Sequence, residues 1–221
     1  MDFVIQRFHP LIRPGVHLGA AHSKHAVHSQ QSRLDSACVM HCLLMVLQVA
    51  GLIDDPSAIA TRRRRLEAKL WRKTAEVFLR GMTFGELAAF VSELDCGLGT
   101  RLLERGPHRE AIAFVESELA QKRLVICSWR EVGTLQNHAV LAIGASGIER
   151  NQRFKPGALL LLDPAEGPPR AMGASNAQLD YARWETAELR RYARYTTANE
   201  TLSVVLNGAI SISFRELTKP P

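Results

Sequence analysis

Four residues in this chain have the types and settings of a thiol-based catalytic centre: Cys38, His138, Asp163 and Gln31. Cys38 opens the apolar stretch Cys38-Val-Met-His-Cys-Leu-Leu-Met-Val-Leu47, which reads as a helix. At a helix N-terminus the dipole favours a thiolate, the nucleophilic form of cysteine. The first-turn backbone N–H is also free to stabilise an oxyanion. About a hundred residues later His138 begins Asn137-His-Ala-Val-Leu-Ala-Ile-Gly144, and Asp163 ends Leu159-Leu-Leu-Leu162 ahead of Pro164. An imidazole can take the thiol proton and return it to a leaving amine. A carboxylate can hold that ring in one tautomer. Gln31 (or its neighbour Gln30) lies just before the cysteine and can donate an amide hydrogen to the oxyanion. His41, one helical turn after Cys38, is a rival base, although two side chains on one short helix rarely bracket a substrate.

The elements that must position these residues follow in a simple order. Residues 1 to about 30 read as an irregular arm, broken by Pro10, Pro14, Gly15 and Gly19 and holding five of the eight histidines. His22, His25 and His28 could share a helical face there, but a loosely packed arm is the simpler reading. Asp35 or Ser36 caps a helix from about Ala37 to Val49, apolar around most of its circumference and so expected at the centre of the molecule. Residues 56 to 80 read as a basic helical stretch, Thr83 caps a helix from Phe84 to Leu94, and Arg109 to Gln121 is amphipathic. Between these lies a short strand candidate, Arg101 to Glu104. The period then changes. Leu124–Trp129, His138–Ile143, Ala158–Leu162, Thr201–Leu206 and Ala209–Phe214 read as strands, with Asn207-Gly208 a hairpin turn between the last two. Residues 177 to 195 read as helical.

Helices first and strands second predict an α+β fold: a helical half with a central nucleophile helix, packed on a mainly antiparallel sheet. No internal repeat or linker divides residues 31–221, which read as one domain.

Composition sets the remaining expectations. Hydrophobic residues make up 46% of the chain and charged residues 23%, ordinary values for a globular protein. The N-terminus does not read as a secretory signal, and no apolar stretch reaches the ~20 residues that span a bilayer, so a cytoplasmic location and no membrane partner are expected. Four cysteines without a regular framework read as reduced thiols. Cys38-x-x-His41-Cys42 offers too few ligands for a structural zinc, so no metal is expected, and the chemistry calls for no organic cofactor. The formal charge of +6 is mostly arginine, densest at Arg62–Arg65. This run reads as a solvated helix face. A nucleic-acid stripe is the less favoured reading, because no stacking aromatics alternate with the arginines.

Taken together, these motifs resemble the C39-type branch of the papain-like cysteine peptidases. The resemblance rests on Gln31 ahead of Asp35-Ser-Ala-Cys38, the Cys38-x-x-x-Cys42-Leu43 helix start, Gly81-Met-Thr-Phe-Gly-Glu-Leu87, His138-Ala-Val-Leu-Ala-Ile-Gly144 and Leu162-Asp163-Pro164. It covers roughly residues 30 to 165 and keeps the order Gln, Cys, His, Asp. It implies a papain-like fold and hydrolysis of a peptide or isopeptide bond through a thioester. Cys38 would be the nucleophile, His138 the base, Asp163 its orienting group and Gln31 an oxyanion donor, with a peptide or protein as substrate. Val39 stands where the family usually has glycine or an aromatic residue, and the Gln31-to-Cys38 interval is one residue longer than is usual there. Those departures favour one alternative, a binding or regulatory module on the same fold with a degenerate triad; a further alternative is an amine acyltransferase using the same cysteine.

Overall fold

The computed structural model describes residues 3–61, 65–169, 174–183 and 188–214. Arg62, Arg63 and Arg64 of the basic run and Trp184 lie outside the described residues. In chain order the elements are β1 (Phe3–Phe8), β2 (Ile12–Arg13), β3 (Gly19–Ala20), α1 (Cys38–Val49), a 3-10 turn (Pro56–Ala60), α2 (Arg65–Val77), α3 (Phe84–Leu94), β4 (Leu98–Leu103), α4 (His108–Ala120), β5 (Leu124–Glu131), β6 (Asn137–Arg150), β7 (Arg153–Leu162), β8 (Ala177–Ala182), β9 (Leu189–Thr197) and β10 (Thr201–Phe214). Among the described residues no helix is long and apolar enough to cross a membrane.

The expected papain-like layout, a helical half set against an open sheet, is overturned. The strands run β6-β5-β10-β9-β8-β7, and β7 pairs back onto β6, closing a six-stranded barrel. Each ladder in it is antiparallel. β1 adds to the free flank of β6, and β4 to β10. Closure removes the open sheet edges that the expected layout would have left.

Strand alternation sorts the side chains into two cores. Val125, Cys127 and Trp129 of β5, Val140 and Ala142 of β6, Leu159 and Leu161 of β7 and Tyr195 of β9 point into the barrel, where Ile112 and Val115 of α4 join them. The alternate residues Leu124, Ile126, Leu141, Ile143, Leu160 and Leu162 face outward and pack with α1, α2 and α3. α1 is buried around its circumference, as its composition demands. Its one buried amide, Gln48, donates to the carbonyls of Ala26 and Asp54, both at 3.1 Å. α3 begins with the capping box anticipated at Thr83 and Glu86.

Three local expectations are corrected. Where a helix was expected over residues 177 to 195, Ala177–Ala182 and Leu189–Thr197 are the strands β8 and β9, because Leu179, Tyr181, Ala193 and Tyr195 gain burial inside the barrel. Asn207-Gly208 is not a hairpin turn. β10 runs straight through it, with the register slipping by one residue against β5. In the N-terminal arm, where no element was expected, β1 forms and is held by backbone pairing to β6. His9 of that arm is buried, its Nε2 at 2.8 Å from the Lys122 carbonyl.

Candidate active site

Cys38 is the first residue of α1, so its N–H lies outside the helical ladder. The expected cap differs in detail. Ala37 occupies the N-cap without a side-chain bond, and Asp35 organises the turn one step earlier. Its Oδ1 accepts from the Ala37 N–H at 3.0 Å and its Oδ2 from the Ser32 N–H at 2.7 Å. The Ser36 N–H donates to the Phe78 carbonyl at 2.6 Å, and the Gln31 N–H to the Pro164 carbonyl at 2.7 Å. The second of these bonds ties the segment before the nucleophile to the residue that follows Asp163.

His138 and Asp163 have the parity of the barrel interior, two residues beyond Val140 and Leu161 on their strands. Both therefore sit at one mouth of the barrel. His138 Nε2 is 2.6 Å from Asp163 Oδ1, and the ring lines the cleft together with Cys38, near enough for the sulfur to favour its protonation. Since Nε2 is engaged by Asp163, Nδ1 is the nitrogen left for the sulfur. Trp129, directly across the ladder from His138, sets its ring edge-on to the imidazole at 5.3 Å between centroids.

Asp163 is held from several sides. Oδ1 also accepts the Ala165 N–H at 2.7 Å, and Oδ2 accepts the Tyr195 hydroxyl. Asn176 takes both backbone groups of Asp163, its Oδ1 accepting the N–H at 2.7 Å and its Nδ2 donating to the carbonyl at 2.8 Å. Burial works against a charge on Asp163, but the donors from His138, Tyr195 and Ala165 outweigh it and hold the carboxyl below its usual range. Burial likewise opposes protonation of His138. The hydrogen bond to Asp163 and the nearby Cys38 sulfur, with the charges of both, overcome it and raise its pKa to about 10. Burial and the adjacent carboxylate push the Tyr195 hydroxyl strongly up, so it stays a donor.

Gln31 lines the same cleft as Cys38 and His138. One Nε2 hydrogen goes to the Asp35 carbonyl at 2.6 Å, leaving its second N–H as a spare donor. All four sequence-identified residues thus meet at one place. His41 does not join them, because its Nδ1 contacts the Ser29 hydroxyl at 2.8 Å and its Nε2 lies 3.7 Å from Asp35. Cys42 and Cys127 are buried, and burial pushes both thiols far up. Among the described residues no three His, Cys, Asp or Glu side chains gather as metal ligands.

The cleft beside Cys38 has a volume of about 620 Å³. It is lined by the loop from Arg80 to Phe84 and by Glu104, Arg105, Ser128, Gln136, Asn137 and Asn207. Arg80 is neutralised by Glu76 at 2.9 Å and Glu86 at 2.8 Å. The N-terminal arm contributes nothing to the lining before Gln31.

Sequence reasoning missed Tyr195, Trp129 and Asn176. The alternation in Leu189-Arg-Arg-Tyr-Ala-Arg-Tyr195 was the available signal for Tyr195, since it puts Ala193 and Tyr195 on one strand face. Asn176 carried none, as its role depends on the turn after Pro164. No protein-family model matches the chain, and no curated protein is detectably similar to it.

Proposed function

We propose that this protein is a thiol hydrolase of the cysteine-peptidase type, acting on a peptide or isopeptide bond in a peptide or protein substrate. The observation that carries the reading is that one imidazole shares a cleft with Cys38 and is held by the buried Asp163 carboxylate. The C39-like motifs support the same chemistry. The reading does not depend on a papain-like architecture, which the barrel replaces.

The steps follow from the geometry. With its pKa raised to about 10, the His138 ring, held through Nε2 by Asp163, is already the imidazolium, so it holds the proton that the sulfur has given up and Cys38 attacks as the thiolate. The sulfur forms a bond to the carbonyl carbon, and the C=O electron pair moves to oxygen. The Cys38 N–H and the remaining Gln31 N–H donate to that oxyanion. As the carbonyl re-forms, the C–N bond breaks and the departing nitrogen takes the proton from His138. A thioester remains. Water then attacks it, giving a proton to His138. The C–S bond breaks, the acid leaves, and the thiolate–imidazolium pair is restored with the proton on His138. These steps call on no metal or organic cofactor.

Arg65, the described residue of the basic run, and the lysines that follow it on α2 do not line this cleft. Lys73 of α2 pairs with Glu76 at 3.0 Å and Lys69 donates to the Glu93 carbonyl at 3.0 Å, a solvated and partly neutralised helix face.

Alkylation of Cys38 by iodoacetamide, followed against pH by mass spectrometry, tests the reading. Wild type should label about tenfold or more faster near neutrality than His138→Ala, with Asp163→Asn in between. Equal rates in all three proteins would end the proposal. An added amine that captures the acyl group in preference to water would reassign the protein as a transferase using the same sulfur.

A further inference from the structure

We propose that Asn137 and Asn207 form a carboxamide pair that binds the backbone of an extended polypeptide substrate beside Cys38; this rests on the hydrolase reading and specifies how its substrate is held. The pair is a product of the bulge in β10. Leu206 faces Trp129 and Gly208 faces Ser128, so Asn207 has no partner on β5. A bulge releases one residue from the ladder and re-aims its side chain. Leu206 and Ala209 on either side belong to the barrel core, and Asn207 does not. Its side chain instead reaches β6, where Nδ2 donates to Asn137 Oδ1 at 2.6 Å. Asn137 immediately precedes His138, and both asparagines line the cleft with Cys38.

The hydrogen-bonding capacity left over is what defines the ligand. Each carboxamide has two N–H donors and one oxygen. Sharing one bond leaves donor hydrogens on Asn137 Nδ2 and an open lone pair on Asn207 Oδ1. Turning both amides over leaves the same complement, so the argument does not depend on their assignment. One donor beside one acceptor, without charge, matches the C=O and N–H of a peptide unit, as the edge of a strand does. The neighbouring positions are small. Ala139 and Gly208 line the slot, and a Cβ at 208 would stand 3.3 Å from the Leu103 carbonyl and 3.7 Å from the Phe84 ring. Small neighbours of this kind leave room for an extended main chain against the amide pair.

A proteome-derived peptide library, with cleavage read by mass spectrometry, supplies the probe. For the best-cut peptide, kcat/KM should fall about tenfold in Asn137→Ala and in Asn207→Ala, and the double variant should lose little more than either, because the two amides act as a unit. Methylating peptide nitrogens one at a time should reveal a position that costs wild type a similar factor and costs the double variant nothing further. Asn137→Ser and Asn207→Ser, which keep a polar group, guard against misfolding, and near-ultraviolet circular dichroism confirms that the variants retain the native fold. Undiminished cleavage in folded alanine variants would overturn the proposal. Library peptides left intact by a wild type whose Cys38 labels in a His138-dependent way would also overturn it, while sparing the thiol nucleophile. Labelling that ignores His138 would remove both.

Discussion

The Tyr195 hydroxyl donates to Oδ2 of Asp163, the carboxylate oxygen that His138 does not use. Each oxygen of the buried acid therefore serves a different ring: Oδ1 orients the imidazole and Oδ2 is satisfied from inside the barrel. Tyr195 thus acts as a positioning residue, reaching the reacting sulfur only through Asp163 and His138. Removing its hydroxyl makes Asp163 a stronger acceptor and tightens its hold on the His138 proton. In Tyr195→Phe the titration midpoint of His138, followed by NMR, should rise by about one pH unit, a size set by the strength of one hydrogen bond to a charged group. An unmoved midpoint would reduce Tyr195 to packing.

The triad also imposes a pH window on stability. His138 is raised from 6.5 in the unfolded chain to about 10 in the folded one, so its contribution is complete below 6.5, declines above it and is gone above about 10. Asp163 is lowered from 3.8, so its contribution is present above that value and is lost as pH falls through the folded one. The unfolding free-energy gap between wild type and His138→Gln should be widest between roughly pH 4 and 6.5 and should close toward pH 10. Urea titrations across that range measure it, and a gap that widens above pH 8 would contradict the assigned charge state.

Trp129 fills the space between the two catalytic-side rings, edge-on to His138 at 5.3 Å and tilted on Tyr195 at 4.5 Å between centroids. Trp129→Ala should cost about 3–5 kcal/mol, the range for emptying a buried indole site. Trp129→Phe, which refills most of the volume, should cost clearly less, and thermal unfolding compares them. Equal loss in both variants would mean that the filled volume is not what Trp129 contributes.

Gly144 lies where β1 crosses β6, and a Cβ there would come within 2.3 Å of the Arg7 carbonyl. Gly144→Ala should therefore detach β1 while leaving the barrel closed, at a cost of roughly 1–3 kcal/mol. Hydrogen exchange should show lost protection at residues 4–8 and retained protection in β5 and β7. Intact protection at Ile5 would show that the strand can shift to accommodate the methyl group.

Much of the site could be read from the chain because its residues are tied to local pattern. A cysteine opening an apolar helix, a histidine at the start of an apolar strand and an aspartate stopped by proline are local statements, and tertiary structure brings those residues together. Alternation extends this reading: once Val140 and Leu161 point inward, His138 and Asp163 must point inward too. Nonlocal pairing decided the rest. The barrel closes only because β7 folds back onto β6, and no local propensity encodes that contact, so an open papain-like sheet was the natural and mistaken extrapolation. Asn207-Gly208 permits a tight turn, but flanking strands β4, β5 and β9 hydrogen-bond to both halves of β10 and keep it extended, turning the same dipeptide into a bulge. Tyr195, set in a stretch whose local pattern suggested a helix, becomes a strand residue because the barrel interior buries its ring and Asp163 accepts its hydroxyl. The sequence alone marked the groups proposed to carry the chemistry; burial and long-range strand pairing decided what holds them in place.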